Sequence, residues 1–179
     1  MKKVKWFDRK FTFDATQNIF PSVVERLRGT PLRIEAKLAS IPPGFMKHRI
    51  GNTWTIKENV GHLTDLEPLW QGRLEDIKTG RLELRPTDLQ NTKTDLANHN
   101  EKPIDELIRS FKKVRQLTME LLEEMDEETV FKSALHPRLK TPMSTVDLFL
   151  FVAEHDDHHL ARITQLEKLI YQSKKSATS

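Results

Sequence analysis

The chain contains no cysteine. This excludes a disulfide framework, a thiolate metal site and a cysteine nucleophile. Any metal would have to be held by nitrogen and oxygen donors. The chain also lacks a run of about eighteen apolar residues, the length a membrane-spanning helix needs. Its opening, MKKVKWFDRKF, has no apolar stretch of signal-peptide length, so a cytoplasmic protein with no membrane partner is expected. A strong charge of one sign is missing too, since 29 basic and 26 acidic side chains leave a net charge of only +3. The isoelectric point near 9.1 hints at nucleic acid. However, the main basic clusters are the first ten residues and Lys174-Lys175, whereas a nucleic-acid footprint needs basic residues gathered on one surface. No nucleic-acid partner is expected. There is no internal repeat, and no strand pattern competes with the helical ones.

What remains is a soluble, highly charged, helical composition, 37% hydrophobic and 31% charged over 179 residues. That length suits one domain with a proper core. Residues 1–20 form an arm whose Trp6, Phe7, Phe11 and Phe13 are too apolar for a free tail. It is expected to pack across the bundle or against a second subunit. A first helix is predicted from Pro21 to about Ser40, with Gly29-Thr30-Pro31 kinking or splitting it. Thr55 and Glu58 form a capping-box pattern, which opens a second helix to about Lys78, bent by Pro68. Gly61 in that helix would allow another helix to approach closely. Residues 80–102 read as a long polar connection, unusual in length and often functional in such cases, with His99 as an exposed loop histidine. A third helix follows from about Pro103 to Met125, and its Arg115 reads as a surface ion pair. Residues 126–143 form a packed loop. Ser144 and Asp147 start a fourth helix running to about Tyr171, and residues 173–179 fray. The organisation is therefore an arm (1–20), a single helical domain (21–172) and a tail (173–179). The fold class is all-α, a four-helix bundle with long connections, an architecture that builds metal sites from side chains on facing helices.

Candidate chemistry concentrates on the last helix. His155 and His159 are four residues apart, which puts both rings on one helix face, where two imidazoles can grip one divalent ion. They lie on the apolar stripe Leu148, Val152, His155, His159, Ile163, Leu166, Ile170. The alternative is a pair of hydrogen-bonded core histidines. His62 on the second helix is the natural third ligand, and three imidazoles leave positions open for water or substrate. Asp65 and Asp156 are candidates for orienting an imidazole from behind, or else plain solvent-facing acids. Arg162, three residues beyond His159, is the candidate contact for an anionic substrate.

Two blocks carry a family resemblance. Trp54-Thr55-Ile56-Lys57-Glu58-Asn59-Val60-Gly61-His62-Leu63-Thr64-Asp65-Leu66-Glu67 resembles the W-[ST]-x-x-E-x-x-x-H-L-x-D-x-E signature of DinB/YfiT-like proteins. His155-Asp156-Asp157-His158-His159-Leu160-Ala161-Arg162-Ile163 resembles their H-x-x-H-H-x-x-[QR]-I signature on the last helix. The resemblance spans about residues 20 to 171 and leaves the aromatic arm outside the motif. It implies a four-helix bundle, often dimeric, with one divalent ion, zinc or nickel foremost, held by His62, His155 and His159. It also implies activities known among relatives: transfer by low-molecular-weight thiols, or metal-dependent hydrolysis.

Two functions from different classes follow as expectations. The first is a metal-dependent enzyme that activates a thiol (an S-transferase) or water (a hydrolase). A positive pocket beside the metal would favour the thiol, because such cosubstrates are anionic. The second is a noncatalytic dimeric bundle with a structural or sensing metal, for which a saturated coordination sphere would speak.

Overall fold

The computed structural model describes residues 6–13 and 17–177. Residues 1–5 and 14–16 of the expected arm, and 178–179 of the expected tail, lie outside the described residues. In chain order the regular elements are α1 (Phe20–Ala39), α2 (Ile56–Lys78), α3 (Thr92–Leu96), α4 (Ile104–Glu123), α5 (Glu127–Phe131), β1 (Ser133–Leu135), β2 (Pro142–Ser144) and α6 (Thr145–Ala177). The four long helices α1, α2, α4 and α6 form the bundle. Helix α6 continues past Tyr171 to Ala177, through much of the segment expected to fray. No described helix is long and apolar enough to cross a membrane.

Local chemistry accounts for the helix ends. The capping box at α2 is complete: Thr55 Oγ1 accepts the Glu58 amide (3.2 Å), and a Glu58 carboxylate oxygen accepts the Thr55 amide (2.7 Å). Pro21 occupies the first turn of α1, where its missing N–H costs nothing. Pro31 does not split that helix. It leaves the Leu27 carbonyl, four residues back, without its helical donor, and Arg115 Nη1 donates to that carbonyl instead (3.2 Å).

The core comes in two halves. One contains Phe20 and Leu27 of α1, Trp70 and Leu74 of α2, Met119 and Leu122 of α4, and Phe149 and Val152 of α6. The other contains Ile34 and Leu38, Ile56 and Val60, Leu107 and Phe111, and Ile163 and Leu166 of the same four helices. Between the halves each helix contributes buried polar side chains: Thr30, then His62 and Glu67, then Arg115 and Thr118, then His155, Asp156 and His159. The order in which each helix meets the halves fixes its direction. Helices α1 and α6 run one way, and α2 and α4 run the other.

This topology explains the long connection. A 23-residue helix such as α2 is about 35 Å long, and a parallel α4 can begin only after the chain has returned that distance. Residues 79–103 make the return alongside α2. They are more ordered than a polar loop. They include α3 and a single helical turn, His99–Glu101, and Lys57 Nζ donates to the Asn100 carbonyl (3.2 Å). The connection from α4 to α6 contains α5 and the antiparallel β1–β2 hairpin. Three-residue strands are too short to leave a period-two signal in the sequence.

Candidate metal centre

The histidines lie in the polar layer. His62 comes from α2, and His155 and His159 come from successive turns of α6; all three are buried, and one ring nitrogen of each lies within 4.8 Å of the others. The Nε2 atoms of His155 and His159 are 3.2 Å apart. Nitrogens bound at about 2.1 Å to one tetrahedral ion would lie about 3.4 Å apart, close to the separation of this pair.

Outer hydrogen bonds select the tautomers. Asn59, one turn before His62, turns its side-chain oxygen to His159 Nδ1 (2.9 Å). Its amide nitrogen donates to the Thr55 carbonyl (2.7 Å), which fixes the orientation of the group. An amide oxygen only accepts, so His159 carries its hydrogen on Nδ1 and turns a lone pair at Nε2 toward the other rings. His62 is set in the same way. Its Nδ1 lies 2.9 Å from Thr94 Oγ1, whose single hydrogen goes to Asp65 Oδ2 (2.9 Å). Thr94 must therefore accept from His62 Nδ1–H, leaving His62 Nε2 as the donor atom for a ligand. Asp65 also accepts from His99 Nε2 (2.8 Å). Burial works against the Asp65 charge, but the hydrogen bonds from His99 and Thr94 outweigh it and hold its pKa below the usual carboxylate value. Asp65 thus backs His62 through Thr94. His155 Nδ1 is buried with no hydrogen-bond partner.

Burial makes these rings hard to protonate. The His62 pKa is pushed down to about 4, chiefly by desolvation. That of His155 is held well below the ordinary value by burial, then by His62 and His158. Neutral imidazole is the form that binds a metal. Nitrogen-only donors, preset tautomers and an absence of competing protons fit a divalent ion such as zinc, nickel or copper.

The rings open onto a cavity of about 240 Å³. Its walls include Trp6 and Phe7 of the arm, Trp54, Trp70 and Phe151, together with Arg73, Arg138, Arg162 and His158. Residues 6–13 of the arm pack across the bundle. Trp6 meets the His155 ring edge-on at 5.0 Å and the Phe151 ring at 5.0 Å, and Arg9 pairs with Glu154. Trp54 lies 4.6 Å from the His62 ring, with its indole N–H donated to Asp95 of α3 (2.9 Å).

Three sequence expectations are corrected. Asp156 is neither solvent-facing nor hydrogen-bonded to an imidazole; it is buried, and Arg115 donates to its two oxygens at 2.7 and 3.2 Å. Arg115 is not a surface residue, because it also donates to Glu67 Oε1 at 2.9 and 2.6 Å deep in the bundle. His99 is not exposed: its ring lies against the α2 backbone, where a Cβ on Gly61 would come within 2.3 Å of it. Gly61 does permit a close approach, but by the returning loop and not by a helix. The sequence reading also missed Asn59, Thr94 and the placement of Trp6. Asn59 sits one turn from His62 and was in principle findable; Thr94 lies in a connection whose path no local pattern reveals.

The DinB superfamily profile matches residues 12–163. No curated protein sequence matches the chain. Among solved structures, the chain is similar to YfiT from Bacillus subtilis, described as a "probable metal-dependent hydrolase with an unusual four-helix bundle topology". The TM-score is 0.76 at 18% identity, over 90% of this chain and 93% of that one. It is similar to the colibactin self-resistance protein ClbS, solved in complex with double-stranded DNA (TM-score 0.65, 15% identity, 86% of this chain and 98% of that one). It is also similar to a mycothiol-dependent maleylpyruvate isomerase (TM-score 0.64, 12% identity, 84% of this chain and 62% of that one). At these identities the structures speak for the fold alone. The profile covers most of the chain, and its match agrees with the two histidine blocks and the bundle: the chain belongs to the DinB superfamily.

Proposed function

We propose that this protein is a metal-dependent enzyme in which His62, His155 and His159 hold one divalent ion, and that it uses a small anionic thiol as cosubstrate. The observation that carries the reading is the convergence of three buried imidazoles on the wall of a cavity that also has arginine side chains in its lining. An ion held there would supply a Lewis acid with open positions, able to lower the pKa of a thiol or a water molecule. The chain's own residues do the rest. Asn59 and Thr94 hold two rings in the ligand tautomer. Trp6, Trp54 and Trp70 exclude bulk water, and Arg162 offers its charge to the cosubstrate. Among the described residues Arg162 makes one hydrogen bond, to Gln165 (2.7 Å), and it lines the cavity.

Hydrolysis is the second reading, favoured by the description of YfiT. A structural or sensing ion fits less well, because the cavity leaves room beside three ligands and a structural site closes with four. The ClbS complex with DNA is a property of that protein; even so, it means that an absence of nucleic-acid partners does not follow from the fold.

Elemental analysis of untagged protein, beside the substitutions His62→Ala, His155→Ala and His159→Ala, tests the ligand set. One ion per chain in the wild type and none in each variant is expected. Loaded protein should then transfer small thiols to an electrophilic probe and lose that activity on chelation. A wild type purified without metal and unable to take up added zinc or nickel would sink the reading.

A further inference from the structure

The cavity wall also carries a buried cation that forms no ion pair among the described residues. Arg73 projects from α2 and is only 1% exposed. Its Nε–H donates to the Arg85 carbonyl (3.1 Å), and its guanidinium carbon lies 5.6 Å from the centre of the Trp70 ring. Nη2 is buried with no hydrogen-bond partner, and among the described residues Arg73 forms no ion pair. Asp76, one turn along α2, is already taken. Arg85 donates to its carboxylate through the backbone amide (2.8 Å), Nε (2.9 Å) and Nη2 (2.8 Å). Gly72 makes room for this clamp, since a Cβ there would sit 2.1 Å from Arg85 Nη1. The loop therefore binds the nearby carboxylate and leaves the buried arginine facing the cavity. A buried charge without a counter-ion is strongly disfavoured unless something else pairs with it.

Other donors share the cavity lining with Arg73. His136 is buried, and its Nδ1 accepts the backbone amides of Arg138 and Leu139, both at 3.2 Å. Its hydrogen is therefore on Nε2, and it offers a donor. Arg138 lines the cavity from the exposed side, with its guanidinium carbon 5.7 Å from the Phe7 ring. Among the described residues the one carboxylate in the lining is Asp88, which accepts the amides of Gln90 (3.0 Å) and Thr92 (2.6 Å).

We propose that Arg73, with Arg138 and His136, forms an anion-binding subsite, which takes the carboxylate or phosphate of a small molecule whose apolar body lies against Trp70 and Phe151. The proposal rests on reading this cavity as the substrate site. It adds a second recognition point to the one assigned to Arg162.

All three tryptophans of the chain line the cavity, so intrinsic fluorescence reports occupancy. The probes are phenylacetate, phenyl phosphate and the neutral phenylacetamide, each titrated into wild type, Arg73→Met and Arg138→Gln, before and after chelation. At least one anion should bind the wild type, with phenylacetamide weaker by about tenfold or more, the usual weight of a charge-assisted hydrogen bond. Arg73→Met should lose that preference and Arg138→Gln should weaken it. The melting temperature of Arg73→Met in anion-free buffer should be no lower than that of the wild type, and only the wild type should be stabilised by the anion. Should Arg73→Met not fold, the acid–amide comparison and Arg138→Gln decide. Equal binding of acid and amide, or unchanged anion binding in both variants, overturns the subsite. Anion binding that chelation abolishes and Arg73→Met leaves intact places the anion on the metal, so the subsite falls and the metal reading stands. Anion binding that depends on Arg73 in a protein able to hold no metal has the opposite meaning.

Discussion

Two buried polar clusters lie side by side in the middle of the bundle, and neighbouring residues of α6 belong to different ones. Asp156 joins Arg115, Glu67 and Thr118. Arg115 donates to both carboxylates and to the Leu27 carbonyl, and Thr118 donates to Glu67. Burial works against the Arg115 charge, and the attraction of Asp156 and Glu67 outweighs it. His155 joins His62 and His159, where the inward nitrogens face each other and His155 Nδ1 has no partner. The first cluster is closed upon itself and needs nothing from outside. In the second, outer hydrogen bonds orient His62 and His159, while one buried nitrogen of His155 has no partner. A satisfied buried network ties helices together, whereas converging imidazoles oriented by outer hydrogen bonds are prepared for a ligand.

The sharpest way to break the comparison is to open the closed cluster. Arg115→Met leaves two buried carboxylates without a counter-charge and should cost about 3 to 5 kcal/mol of stability, read from urea unfolding. Replacing Arg115, Glu67 and Asp156 together by apolar residues of similar size should restore most of that loss, because the charges vanish as a set. A triple variant as unstable as the single one would refute the account of a self-contained network. The histidine cluster should answer differently. Asn59→Ala and Thr94→Val remove support from behind His159 and His62, and each should weaken metal affinity by about 10- to 100-fold, measured by competition with a chromophoric chelator. Both variants should stay folded.

A smaller effect comes from pH. His136 has its pKa lowered from 6.5 to about 4 by burial, then by Arg73 and Arg138. The unfolded chain takes up its proton first, so this contribution to stability is present above pH 6.5 and is lost as the pH falls toward 4. Metal-free protein should lose roughly 1 to 2 kcal/mol from this residue between pH 7 and pH 5. His136→Gln should flatten the slope by that amount in paired unfolding curves. A comparable change lies at the start of α2. Thr55→Ala removes the capping bond from Glu58 and the hydroxyl's bond to Asn100 Oδ1 (2.7 Å), and should cost about 1 to 2 kcal/mol, with metal content unchanged.

Much of this was legible in the sequence because it is local. The capping box, the four long helices and the i, i+4 histidine pair each depend on spacing along one helix, and each expected helix matched one of the bundle. Pairing between helices was not legible. Arg115 looked like a surface residue because a charged side chain beside an apolar stripe usually faces solvent, and nothing in α4 announces that Glu67 and Asp156 wait opposite. His99 and Thr94 looked like loop residues because the return path of residues 79–103 is set by helix direction, a property of the whole bundle. Pro31 shows the same limit: the sequence suggests a kink or a split, and its effect is to leave a carbonyl that Arg115 uses from another helix.

The run from Glu154 to His159 has a consequence for how this chain tolerates change. Along six consecutive residues the neighbours change from each residue to the next: Glu154 meets Arg9 and Arg26, Asp156 meets Arg115, Asp157 meets Arg26 and Arg33, His158 meets Trp6, and His155 and His159 meet each other. Each successive residue is turned by about 100°, so the helix works like the bitting of a key. Replacing one residue blunts one notch. Deleting one residue upstream within α6 turns every notch at once, so insertions and deletions there should be excluded far more strictly than substitutions.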